Sequence, residues 1–217
     1  MFTALYLEFL SFVLGCILVR KTWPWHYRFL VVLKGLSFLV QWGGMAWSTL
    51  THSSNHWIFN VYLPLECVSY LYIFYRASTS PIIRRLNGWL TVTVLPLVVI
   101  SFLLSPQLFI INQMMGMGCD FLLLISACVA CIGLLLSEEE VSFFRNPLFW
   151  LAGGVLYYSI GNIIYLVTWE VTRKMVLYKF IRIEFFLSGI VLNLALMGSF
   201  FCMYLWDARR RRDLRRS

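Results

Sequence analysis

Four ionisable side chains lie inside long apolar stretches: Lys34, Glu66, Asp120 and Glu184. Such groups are costly in hydrocarbon. They turn toward protein or water, and they mark ion pairs, ligand sites or proton relays. At about 1.5 Å of rise per residue, Lys34 lies roughly 9 Å into its stretch and Glu66 roughly 13 Å from the end of the next. These depths match across two antiparallel helices and predict a Lys34–Glu66 ion pair. The bland alternative has Lys34 snorkelling to the interface, with Glu66 a solitary core acid.

Other polar side chains gather toward one end of the same stretches: Gln41, Tyr62, Asn112, Gln113 and Asn162, with Asn193 near mid-depth. With Asp120 and Glu184 they could line a water-filled pocket in the outer half of the membrane. Its acidic balance suits a cationic or hydrogen-bond-donating ligand, or a proton path. The alternative is interhelical hydrogen bonding without a cavity, worth about 0.6 kcal/mol per bond on average. Tyr62 and Glu66 are four apart and share a helical face. The Tyr62 phenol could therefore hydrogen-bond the Glu66 carboxyl.

Other spacings carry less chemistry. His52 and His56 could share the outer end of helix 2, but two histidines do not complete a metal site. They read as solvated loop residues. Cys128 and Cys131 form a C-x-x-C within Ile125-Ser126-Ala127 and Ile132-Gly133-Leu134, and read as apolar packing. The sequence carries no zinc-protease, nucleophile-elbow, phosphate-loop or dinucleotide signature. Helix 7 has no mid-span lysine for a retinal Schiff base. The expectation is no enzyme, no metal and no cofactor.

The composition dictates what must position these residues. The chain has 217 residues, 60% apolar and only 13% charged, with a mean hydropathy of +0.77. An ordinary soluble domain is about a quarter charged. This chain has too little polar surface to coat a soluble core, which excludes a soluble enzyme, a disordered chain and a disulfide scaffold. A membrane-spanning helix needs about 20 apolar residues. Seven runs fit: 2–19, 28–49, 57–75, 88–104, 112–136, 147–169 and 181–206. The predicted fold is all-α: a seven-helix transmembrane domain over 1–206 and a basic tail over 207–217.

Basic residues in short loops set orientation. Arg20, Lys21 and Arg28, then Arg76, Arg84 and Arg85, then Arg145 and the tail arginines fall on one side. Arg173, Lys174, Lys179 and Arg182 fall on the other. The balance predicts an outer N-terminus and a cytoplasmic C-terminus; the expected location, a bacterial inner membrane, does not follow from the charges. Val13-Leu14-Gly15-Cys16 faintly resembles a lipoprotein cleavage box. No basic region precedes it and Glu8 interrupts its apolar run, so an uncleaved first helix is expected. The tail, Arg209 to Arg216, would rest on anionic headgroups at about 1 kcal/mol per basic residue. It lacks the aromatic platforms of a nucleic-acid surface.

Trp23, Trp25, Trp57, Trp89, Trp150, Trp169 and Trp206 lie near predicted helix ends, as an interfacial belt requires. Gly116, Gly118, Ala127, Ala130 and Gly133 on helix 5, and Gly153, Gly154 and Gly161 on helix 6, predict close helix contacts. Glu138, Glu139 and Glu140 could dock a basic partner or fold onto Arg84 and Arg85. Asn55 is placed to cap helix 3.

The stretch Asn55-His56-Trp57 through Tyr62 to Glu66, with Asn146-Pro147-Leu148-Phe149-Trp150 and Gly154 to Tyr158, resembles small seven-helix membrane proteins of Bacteroidota. Asn193-Leu194 is a weaker match. The genes of that family often lie beside sensor histidine kinases, so the resemblance implies a sensory role. It supplies no catalytic residues.

The leading expectation is a receptor-like sensor module, with an outer pocket and a membrane or cytoplasmic signalling partner. A small transporter or channel using Lys34, Glu66 and Asp120 is the first alternative. A scaffold subunit of a larger membrane complex is the second, and an unrecognised membrane enzyme the last. A sensor should hold an outer pocket closed below. A transporter should show a pathway with broken helices, and a scaffold a dry bundle.

Overall fold

The computed structural model describes residues 2–105, 112–136, 143–172 and 177–214. Within these, side chains are described over 5–105, 112–136, 144–168 and 180–209. The described residues form seven helices: α1 (Phe2–Leu18), α2 (Trp25–Thr51), α3 (His56–Ala77), α4 (Pro81–Leu104), α5 (Gln113–Leu135), α6 (Pro147–Thr172) and α7 (Leu177–Leu214), with one 3₁₀ turn at Phe143–Arg145. Helices α2 to α7 hold stretches long and apolar enough to cross a membrane. At 17 residues, α1 is shorter and falls below the usual length of about 20.

The helix ends follow local chemistry. Pro81 opens α4, where its missing N–H had no partner. Pro147 opens α6 the same way. Asn112 caps α5, its side chain accepting from the Met115 N–H at 3.0 Å. α4 starts seven positions before the predicted run, because Arg84 and Arg85 dilute its hydropathy without breaking the helix.

Consecutive helices pack together, and α1 also packs on α7 and α3 on α5. These contacts close α1, α2, α3, α5, α6 and α7 into a ring. α4 lies outside it, against α3 and α5. Short connections make sequential neighbours antiparallel, so Arg20, Arg28, Arg76, Arg84, Arg145 and Arg209 gather at one end, here the basic end. Thr51 and His56 mark the opposite end.

Some of the predicted lean faces make close contacts. A Cβ on Gly154 would stand 2.5 Å from the Ala195 Cβ, and one on Gly161 would stand 2.6 Å from the Ser188 Cβ. α6 and α7 can approach this closely only with those glycines. Gly153 does not belong to that face, since nothing lies within 4 Å of its added Cβ.

Two other expectations are corrected. Trp23 is not an interfacial anchor: it is 1% exposed and stacks on Phe200 at 6.5 Å. The loop after α1 sets Trp23 and Arg20 against Phe200 and Tyr204 of α7. Trp25, Trp89 and Trp206 do face outward. His52 and His56 share no helical face: α2 ends at Thr51, His52 turns left-handed at φ 52°, and His56 opens α3. The acidic run Glu138 to Glu140, Arg173, Lys174, and the side chains of Trp169, Lys179 and the arginines from Arg210 to Arg216 lie outside the described residues.

Candidate functional site

The site is built around Glu8 on α1. Lys34 Nζ donates to Glu8 Oε1 at 2.9 Å, with side chains 2% and 3% exposed. Ser37 Oγ donates to the same oxygen. Lys34 and Ser37 are three apart, so one turn of α2 presents both donors to α1.

This pairing overturns the predicted Lys34–Glu66 ion pair, and the snorkelling alternative with it. By rise, Glu8 and Glu66 lie about 15 Å and about 16 Å from the basic end. Depth therefore does not choose between them. α2 is flanked by α1 and α3 alike, and Ser37 adds a second donor toward α1.

Ser11, three residues along α1, joins the site to α7. Its hydroxyl donates to Asn193 Oδ1 at 3.0 Å. Asn193 Nδ2 donates to the Gly189 carbonyl at 2.9 Å, which fixes the orientation of the amide. Glu8 with Lys34 and Ser37, and Ser11 with Asn193, thus tie α1, α2 and α7 together near mid-depth.

Beside this knot lies a cavity of about 120 Å³. Glu8, Lys34, Ser37, Gln41, Tyr62, Glu66, Tyr158 and Asn193 supply its polar lining, and Phe59, Leu63, Gly189 and Leu192 complete it. That volume holds a few waters and is well below the roughly 300 Å³ of a drug-sized site. Glu8 Oε2 and Tyr62 Oη are buried without a hydrogen-bond partner.

The lining is unevenly buried. Gln41, Phe59, Leu63 and Gly189 are half-buried, whereas Glu8, Lys34, Tyr62, Glu66 and Asn193 are buried. Gln41 and Phe59 lie on the side of the histidine end. Toward the basic end the ring is filled by Leu30, Tyr70, Phe74, Leu196 and Phe200, all at most 1% exposed.

A second buried acid lies beyond Tyr158. Asn162 Nδ2 donates to Asp120 Oδ1 at 3.3 Å between α6 and α5, and Asn162 Oδ1 has no partner. Tyr158, one turn before Asn162, lies within electrostatic reach of both Glu66 and Asp120. In and next to the cavity there are thus three buried carboxyls, Glu8, Glu66 and Asp120, and Lys34 is ion-paired to the first of them.

The structure thus brings Lys34, Gln41, Tyr62, Glu66 and Asn193 to one cavity, with Asp120 and Asn162 next to it. Glu184 does not join them; it is half-buried on α7 beside the outward-facing Tyr157. Tyr62 lies beside Ser37 and Glu66, within reach of the Glu66 carboxyl as its spacing predicts, although its hydroxyl falls short of a well-formed hydrogen bond. Asn112 belongs to the scaffold: besides its cap it donates to the Ser101 carbonyl at 3.1 Å.

Asn55 does not cap α3 with its side chain. It donates instead to the Gly44 carbonyl of α2 at 3.0 Å, which clamps the α2–α3 connection. Among the described residues, no group of three or more His, Cys, Asp or Glu is placed to hold a metal ion.

Glu8, Ser11, Ser37 and Tyr158 were absent from the sequence-based site. Glu8 was the findable one: a carboxylate in an apolar run is itself a signal. No protein-family model matches the chain, and neither curated proteins nor solved structures contain a significant match.

Proposed function

We propose that the protein is a non-enzymatic membrane sensor. A small cationic or hydrogen-bond-donating ligand enters the cavity from the histidine end, and the response leaves from the basic end. The carrying observation is a polar cavity whose half-buried lining residues Gln41 and Phe59 lie toward the histidine end, with buried aromatic and aliphatic side chains between it and the basic end.

Several features support this reading. The helices run unbroken past the cavity, unlike the discontinuous helices of many transporters. The lining includes unpartnered acceptors, unlike a dry scaffold. α1 is pinned to the cavity through Glu8 and Ser11, and its far end reaches α7, where the Arg20 guanidinium lies 4.8 Å from the Tyr204 ring centre. A shift at Glu8 therefore has a rigid route to the basic end. A signalling partner would receive it there, at the inner surface under the predicted orientation. The Bacteroidota resemblance implies the same role.

A proton or ion pathway is the second reading, and the row Glu8, Glu66, Tyr158 and Asp120 favours it. One experiment separates the two. The protein is reconstituted in sealed vesicles with an environment-sensitive probe near Arg20, then titrated with acid and with alkali chloride. A sensor changes the probe signal and leaves vesicle flux at background. Flux above background without a probe response overturns the sensor reading.

A further inference from the structure

We propose that the cavity is a binding site for a monovalent alkali cation, with Glu66 and the free oxygen of Glu8 as its charged ligands. The inference rests on the cavity being the sensory site and names the class of ligand.

Charge comes first. Glu8 and Glu66 face one cavity with Lys34 as the lining cation, and Lys34 is committed to Glu8 Oε1. Counted as ions, the lining carries one negative charge in excess. An uncompensated buried charge is strongly unfavourable. One monovalent cation, a proton included, neutralises it, whereas a divalent ion would leave an excess of the opposite sign; the oxygen ligands and the space beside them favour the alkali ion over the proton.

Ligand chemistry comes second. The lining offers carboxylate, hydroxyl, phenol and amide oxygens, with no His or Cys. Hard cations take oxygen ligands, while softer metals take nitrogen and sulfur. Two of these oxygens, Glu8 Oε2 and Tyr62 Oη, have no partner in residues only 2% and 7% exposed. Buried polar atoms are normally satisfied, and both of these belong to residues that line the cavity, where a bound cation would give them a partner.

Size comes third. About 120 Å³ admits an alkali cation with part of its water shell and excludes a larger organic cation that needs a full ligand pocket.

The test uses the full chain in lipid nanodiscs and radiolabelled Na⁺. Wild type should bind Na⁺ saturably, with displacement by unlabelled NaCl and none by choline chloride at the same ionic strength. Glu66→Gln and Tyr62→Phe, checked for monodispersity and helical content, should each weaken binding, Glu66→Gln by about tenfold or more. Absence of saturable binding to wild type overturns the inference whatever the variants do. Binding that both folded variants retain at full strength also overturns it, because the ion then sits elsewhere. Either failure leaves the sensor reading open to a proton or a neutral donor. That reading fails on a different observation, a silent probe at the basic end.

Discussion

Lys34 and Glu8 form an ion pair at 2.9 Å with almost no exposed side-chain surface. It ties α1 to α2 in the middle of the ring. Removing one partner of a buried pair commonly costs about 3–5 kcal/mol, because the other charge is stranded. Glu8→Gln and Lys34→Met should each destabilise the protein by about that amount. The double variant should lose far less than the sum. Denaturation of the four forms in one mixed-micelle system measures this, and strict additivity would argue that the two side chains do not meet.

The α6–α7 contact makes a sharper demand on shape. Gly154→Ala places a methyl 2.5 Å from the Ala195 Cβ. It should cost about 1–3 kcal/mol, as overpacking does. Gly153→Ala has open space and should be neutral or gain up to about 1 kcal/mol of helix propensity. Thermal unfolding of the two variants side by side checks the contrast.

Asn55 distinguishes two roles for one side chain. A capping Asn is replaced by Asp at little cost. The structure instead uses its N–H₂ group, which donates to the Gly44 carbonyl. Asn55→Asp should therefore lose about 1 kcal/mol, with the α2–α3 connection exchanging amide hydrogen faster. An unchanged exchange pattern would restore the capping role.

Much of the helical frame is legible in the sequence. Helices appeared as apolar runs because the membrane imposes one length and one polarity on each crossing. Gln41, Tyr62, Glu66 and Asn193, which line one cavity, are legible by the same rule in reverse: polar groups in apolar runs. The partner of Lys34 was not legible. Helical rise gives depth, and at that depth Glu8 and Glu66 are equivalent. Which neighbour Lys34 meets depends on the rotation of α2 about its axis, and hydropathy does not record that. Gly153 and Glu184 were misassigned for the same reason. Each lies one residue or one face away from the surface that its neighbours build.

Orientation gives a fourth prediction. The gathering of Arg20, Arg76, Arg84, Arg145 and Arg209 at one end predicts that this end faces the cytoplasm. In a background with the native cysteines replaced, Ser53→Cys should react with an impermeant thiol reagent in intact cells. Thr79→Cys should react only after the membrane is opened. The reverse pattern would invert the orientation and put the histidine end on the inner side.

In the proposed sensor, water reaches Glu8 and Glu66 from the histidine end alone. The most direct measurement is the reaction of single cysteines with a small aqueous thiol reagent in oriented vesicles. Gln41→Cys and Phe59→Cys should react from that end. Phe74→Cys and Leu196→Cys should stay inert from both. Labelling at Phe74 or Leu196 from the basic end would show a continuous aqueous path through the ring and contradict a sealed sensory cavity.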